Sequence, residues 1–135
     1  RGMMSQDFLP TIQRETESFF DLLGLDGEVR VQETPEQGVM ISVESKDPHL
    51  FIGEKGQNLS DIQHILRMML RKKIGESFFL TLDINGYRKS KEEYLRELAQ
   101  NTADEVVFSK KPKELPIMTA QERRIVHEEL GKGTM

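Results

Sequence analysis

The 135-residue chain has no cysteine and no tryptophan. Without thiols there is no disulfide framework, no thiolate nucleophile and no cysteine-based zinc site, a composition that suits an intracellular chain better than a small secreted one. Long apolar runs are missing too. Nothing approaches the length of a membrane span, and no basic-then-apolar leader opens the sequence, so a soluble, cytoplasmic protein without integral membrane association is expected. An excess of positive charge is also lacking: 19 Lys and Arg stand against 23 Asp and Glu, a net charge of -4. Taken alone, that balance argues against a nucleic-acid partner. Histidine is sparse. His49, His64 and His127 are scattered, none beside a Ser or Asp in a catalytic pattern and none in a cluster with metal-ligand spacing. The pairs Glu92-Glu93 and Glu128-Glu129 point to different faces of a helix and suit solvation better than acid–base work. No cofactor, no metal and no catalytic residue are therefore expected. An Arg–His phosphodiesterase is the enzymatic alternative, and it would require turnover of RNA.

What the chain does hold is unevenly distributed. Residues 1–45 carry three Lys or Arg and nine Asp or Glu, a balance of -6, whereas residues 46–135 are net positive at +2. The acid lies upstream of the stretch Phe51-Ile52-Gly53-Glu54-Lys55-Gly56-Gln57-Asn58, in which two glycines bracket two charged residues. Behind it Leu59, Ile62, Leu66, Met69 and Leu70 recur at helical spacing, so the glycines fall where a buried segment turns into an amphipathic helix. A helix start free of large side chains is a place where backbone N–H groups meet an anion. The plain alternative is an ordinary glycine turn between two helices.

Period changes divide the rest. Asp7 to Leu23 reads as one amphipathic helix through Phe8, Ile12, Phe19, Phe20, Leu22 and Leu23, beginning at Asp7 or after Pro10 and stopping at Gly24. Arg1-Gly2 ahead of Met3-Met4 reads as a cloning remnant. Alternation over Glu28–Glu33 and Val39–Glu44, with Pro35, Gln37 and Gly38 between, predicts a hairpin with one apolar face. His49–Ile52 is a single helical turn. In the helix Gln57–Lys73, Leu59, Ile62, Ile65, Leu66, Met69 and Leu70 form an apolar stripe, and Ser60, His64, Arg67 and Arg71 an exposed one. A third strand is predicted over Phe78–Ile84. Asn85-Gly86 is a hairpin signal, yet no period of two comes after it. Tyr87, Tyr94, Leu95, Leu98, Ala99, Thr102, Ala103 and Val106 instead predict one helix over Tyr87–Phe108, roughly 33 Å long. After the break at Lys110, Lys111, Pro112 and Lys113 comes a short extended segment, Glu114–Met118. A final helix succeeds it, started by a Thr119/Glu122 capping box and closed at Leu130-Gly131.

The order helix, strand, strand, short helix, Gly-x-x-Gly loop, helix, strand resembles a bacterial-type (type II) KH domain. Asp47 through Leu59, then Asp83-Ile84-Asn85-Gly86-Tyr87-Arg88, then Glu122-Arg123-Arg124-Ile125-Val126-His127 together resemble the Jag (SpoIIIJ-associated, KhpB) family. There a KH domain precedes an R-three-H domain, named for an Arg and a His separated by three residues, the spacing of Arg123 and His127. The resemblance implies an α+β fold: a KH domain over residues 5–85, its three-stranded sheet covered by helices, joined through a long helix to a small α/β R-three-H unit over residues 86–135. Two departures stand out. Family members commonly carry two basic residues between the loop glycines, where this chain has Glu54 and Lys55. The sequence also stops soon after the His-bearing helix, which leaves open a second domain truncated at its C-terminus.

The implied partner is single-stranded RNA, with single-stranded DNA as the alternative. Gly53 and Gly56 would admit the nucleic-acid backbone, Lys55 would supply charge, and the helix start at Gln57 would supply N–H groups. Arg67 and Arg71 would extend a basic track, against the plain reading of a solvated face. Arg123, Arg124 and His127 would add phosphate contacts, against the plain reading in which Arg123 pairs with Glu122 or another neighbouring acid. The family's implied role is post-transcriptional regulation linked to cell elongation, with a small partner KH protein or a second copy. The alternative function is a protein-interaction or dimerisation module.

Overall fold

The computed structural model describes residues 8–132. Its elements are α1 (Phe8–Leu23), β1 (Gly27–Thr34), β2 (Gly38–Ser45), α2 (His49–Ile52), a single 3₁₀ turn (Glu54–Gly56), α3 (Gln57–Ile74), β3 (Leu80–Ile84), α4 (Tyr87–Ser109) and α5 (Ala120–Gly131). This is an α+β chain that divides into two compact units between Tyr87 and Arg88.

The first unit is built on a mixed three-stranded sheet of order β1-β2-β3. The predicted alternation forms the β1–β2 hairpin, with Val31 opposite Ile41 and Val29 opposite Val43. β2 then pairs with β3 in parallel, Ile41 opposite Leu82. Every second residue faces one way. Val29, Val39, Ile41, Val43, Leu80, Leu82 and Ile84 are thereby buried together with Ile12 and Phe20 of α1 and Leu59, Leu66 and Leu70 of α3. α1 is pinned to the edge of β1 by Gln13, whose Nε2 donates to the Val29 carbonyl at 2.7 Å. It starts before Pro10, since a proline in the first turn has no N–H to leave unpaired; Asp7 lies outside the described residues.

Several sequence expectations need correction. Leu22 is exposed, because two residues past buried Phe20 the helix has turned more than half a revolution. Ile65 stands 55% exposed instead of in the apolar stripe, and Met68 stands 56% exposed beside it. The third strand begins at Leu80, not at Phe78, although the Phe78 side chain is buried. Asn85 and Gly86 do adopt the consecutive left-handed conformations of a tight turn, with φ of 52° and 64°, but the turn leads from β3 into α4. The Asn85 carboxamide grips the backbone of Ser45, accepting from its N–H and donating to its carbonyl, each at 2.9 Å.

The second unit has a small core of its own. Leu95 and Ala99 of α4 meet Val126 of α5, and Leu115, Met118 and Ile125 pack around them. Tyr94 is exposed, with the Lys91 ammonium 5.8 Å from its ring centre. Glu129, expected at the surface with Glu128, is buried instead. Its carboxylate accepts from Gln100, from Arg96 at 3.3 Å and from Lys132 at 3.1 Å, as a buried charge requires.

One core position is poorly matched. Thr16 lies on the buried line of α1 between Ile12 and Phe20, and its hydroxyl is completely buried without a hydrogen-bond partner. Thr16→Val keeps the shape and removes the unsatisfied group, so it should stabilise the protein by about 1 kcal/mol in urea denaturation. A loss of stability would mean that the hydroxyl is bonded after all.

Candidate nucleic-acid interface

Four of the candidate residues form one short arc. Gly53 has φ 73° and ψ 179°, a combination almost confined to glycine. Lys55 comes next with φ 55° and ψ 23°, then Gly56 with φ 78° and ψ 16°, so two successive left-handed residues lead into α3. Gly56 is the N-cap of α3 and brings no side-chain acceptor to the N–H groups of the first turn. The helix start is therefore open to an external acceptor, and its dipole favours an anion there. Lys55 is exposed and makes no ion pair among the described residues. Glu54 is equally exposed, so the arc presents one charge of each sign.

The glycines also have an internal reason to be there. A Cβ on Gly53 would stand 2.6 Å from Cγ of Asn58, and one on Gly56 would stand 2.8 Å from Cε2 of Tyr87. Asn58 in turn donates from Nδ2 to the Leu50 carbonyl at 2.7 Å, tying α3 back to α2. The loop thus lies directly on two polar-tipped side chains that hold its curvature. Neither role is visible in the sequence, where Asn58 is merely the end of the glycine stretch and Tyr87 an apolar position of a helix. Gln57 is more committed than expected. Its N–H donates to the Glu54 carbonyl, and its side chain donates to Asp61 at 2.9 Å.

Arg67 and Arg71 lie farther along α3. Arg71 is exposed. Arg67 corrects the expected exposed stripe, since it is half-buried, its Nε is enclosed without a partner, and one Nη lies 3.2 Å from His64 Nδ1. Their Cα atoms are roughly 16 and 22 Å along the helix from the loop.

The remaining candidates belong to the second unit. Thr119 caps α5, its hydroxyl accepting from the Glu122 N–H at 3.2 Å and its own N–H donating to the Glu122 carboxylate at 2.8 Å. The bond from the Thr119 N–H, reinforced by Lys91 at 3.3 Å, holds the Glu122 carboxyl below the ordinary carboxylate range. Because Glu122 is occupied in this way, Arg123 does not pair with it. One Nη donates instead to the Met118 carbonyl at 2.8 Å. Arg123, Arg124 and His127 are exposed on α5, and the two arginines and the histidine make no ion pair among the described residues.

No family model matches the chain. Curated relatives do. It is 29% identical over 112 residues to the RNA-binding protein KhpB of Clostridium symbiosum, an alignment that covers 82% of this chain and 50% of the relative. It is 32% identical over 104 residues to the RNA-binding protein KhpB of Bacillus subtilis, covering 77% and 50%. A KhpB of Lactiplantibacillus plantarum is 30% identical over 84 residues, covering 62% and 26%. The chain thus spans about half the length of the first two relatives.

The local geometry can be tested at two positions. Gly56→Ala meets both a positive φ and the Tyr87 ring, and it should destabilise the first unit by about 1–3 kcal/mol. Adding Tyr87→Ala should not fully restore the Gly56→Ala protein in thermal melts, because the φ remains positive. In the second unit Glu129 is also held below the ordinary carboxylate range, by Gln100 first and then by Lys132 and Arg96. A depressed folded-state pKa contributes stability that is present above the unfolded value and lost as pH falls through the folded one. Acidification through and below the ordinary carboxylate range should therefore loosen α5 against α4, read from amide exchange, and Glu129→Gln should flatten that dependence.

Proposed function

We propose that this chain, a homologue of the KhpB proteins over most of its own length, binds single-stranded RNA through a backbone clamp at Gly53–Gly56. In this reading residues 5–85 form a type II KH domain and residues 86–135 an R-three-H domain. The observation that carries it is the open start of α3: no side chain caps it, glycines stand at positions 53 and 56 of the turn that leads into it, and between them stands an exposed Lys55 with no ion pair among the described residues. A phosphate placed there meets backbone N–H groups and a positive dipole end without a Cβ in the way. Lys55 adds attraction and Glu54 subtracts from it, so the clamp has modest affinity and relies on neighbouring contacts. Arg71 supplies one along α3, and half-buried Arg67 a lesser one. In the second domain, Arg123 commits one donor to Met118 and keeps others for a phosphate, and Arg124 and His127 extend that surface. In this reading recognition rests on backbone and shape more than on base sequence. The biological role this implies is post-transcriptional regulation linked to cell elongation.

The test is titration of a labelled single-stranded RNA at several salt concentrations. The wild type should lose affinity in log-log fashion with a slope near -0.7 per phosphate contacted. Gly53→Asp with Gly56→Asp should abolish most binding. Glu54→Lys, an exposed change, should strengthen it about fivefold, the scale of one exposed charge interaction, and steepen the slope. Binding that is indifferent to both changes in folded protein would sink the clamp, and dependence on Arg123→Ala with His127→Ala alone would move the site to the second domain.

A further inference from the structure

Tyr87 supports the glycine loop with its ring, and that support leaves its hydroxyl unexplained. The side chain is half-buried and packs against the core of the first unit. Its Cε2–Cζ–Oη edge lies against Gly56: a Cβ at that position would stand 2.8 Å from Cε2, 3.3 Å from Cζ and 3.1 Å from the phenol oxygen. A phenylalanine would fill the same space. When a tyrosine is buried whole, its hydroxyl ordinarily finds a hydrogen-bond partner. The Tyr87 hydroxyl has none among the described residues and is not enclosed, so it meets solvent beside the uncapped start of α3. Any side chain at position 56 would lie across this oxygen, and glycine leaves it open.

The other groups at the loop answer to what RNA and DNA share. The N–H groups that open α3 and the Lys55 ammonium only donate, and a phosphate satisfies them equally in either nucleic acid. The Tyr87 hydroxyl differs in kind, because it both donates and accepts. So does the ribose 2′-hydroxyl, the group by which a protein tells RNA from DNA at a given site. We infer that Tyr87 is the residue by which the loop takes RNA in preference to single-stranded DNA, its phenol exchanging a hydrogen bond with the 2′-hydroxyl of a nucleotide whose phosphate the loop holds. This rests on the clamp reading given above. A phosphate at the start of α3 brings its sugar against Gly56, where the phenol oxygen is open. The ring is already fixed by its packing against the core, so the oxygen is in place before the ligand arrives and little side-chain freedom is lost on binding. The tyrosine thus has two separable duties: its ring holds the loop, and its oxygen reads the sugar.

The test pairs one oxygen of the protein with one oxygen of the ligand. A labelled single-stranded RNA free of U, the DNA of identical sequence, and RNAs carrying a single 2′-deoxy nucleotide at each position in turn are titrated into the wild type, Tyr87→Phe, and Gly53→Asp with Gly56→Asp. The wild type should prefer RNA to DNA by about fivefold, the scale of one hydrogen bond, and one deoxy position should reproduce most of that loss. Tyr87→Phe keeps the ring and should melt with the wild type. Its RNA affinity should fall about fivefold while its DNA affinity stays, and the sensitive deoxy position should vanish, as a coupled pair of groups requires. A wild type that binds RNA and DNA equally overturns the inference. So does a Tyr87→Phe protein that keeps the preference, or one that loses RNA and DNA affinity alike, which would put the phenol on the phosphate. The clamp survives all three of these results. Wild-type RNA binding by the folded glycine double variant would instead sink the clamp, and this inference with it.

Discussion

Two adjacent strands that run in the same direction cannot be joined by a tight turn, and that constraint organises the first unit. β2 and β3 are parallel neighbours, so the chain between them must travel back along the sheet before β3 can begin. α2, the glycine loop and α3 are that return path. The apolar side of α3 covers the sheet, and its Gln63 side chain accepts from the Leu82 N–H at 2.9 Å, occupying a donor on the outer edge of β3. Where the path reverses, the backbone has to turn within a few residues, and Gly53, Lys55 and Gly56 take the conformations that this turn requires. The candidate clamp is therefore the corner of a crossover. Its open helix start is a by-product of a turn too tight for a capping side chain.

The charge distribution obeys the same division. The acidic residues of α1 and the hairpin lie before the crossover, whereas the bases of α3 and of the later segments come after it. A net charge below zero is compatible with an anionic ligand when the bases are placed where the ligand touches. In each unit the balance at the candidate residues is set by individual side chains. In the first, Lys55 makes no ion pair among the described residues, Arg67 is half enclosed and Glu54 opposes its neighbour; in the second, Arg123 is partly committed to a backbone carbonyl.

Much of this architecture is legible in the amino-acid order alone, because period and punctuation are local. The alternation through Val29 and Val31 and through Val39, Ile41 and Val43 marks the hairpin. The Thr119/Glu122 spacing marks the start of α5 to the residue. Asn85-Gly86 announces a left-handed pair correctly, but whether a strand or a helix comes after such a pair is decided by the period of the next segment. The misses are of a different kind. Ile65 is only one position from buried Leu66, and a hydrophobic stripe read by eye absorbs it, although a step of 100° turns it toward solvent. Glu129 looks like any surface acid until Arg96, Gln100 and Lys132 are brought around it from other turns. The roles of Asn58 and Tyr87 depend on where the chain returns, and Tyr87 is thirty-one residues beyond the glycine it supports.

That support gives the loop glycines two independent reasons to persist. Drift at position 56 would be purged for the sake of the fold even in a chain that binds no nucleic acid, since any side chain there collides with Tyr87. The side chains at positions 54 and 55 meet no such collision, because both are exposed to solvent, and the left-handed backbone at 55 restrains its shape but not its charge. Across related chains, the glycines would then report ancestry and foldedness, and the charges between them would report selection for the ligand. The informative part of a Gly-x-x-Gly motif in this protein is the x-x.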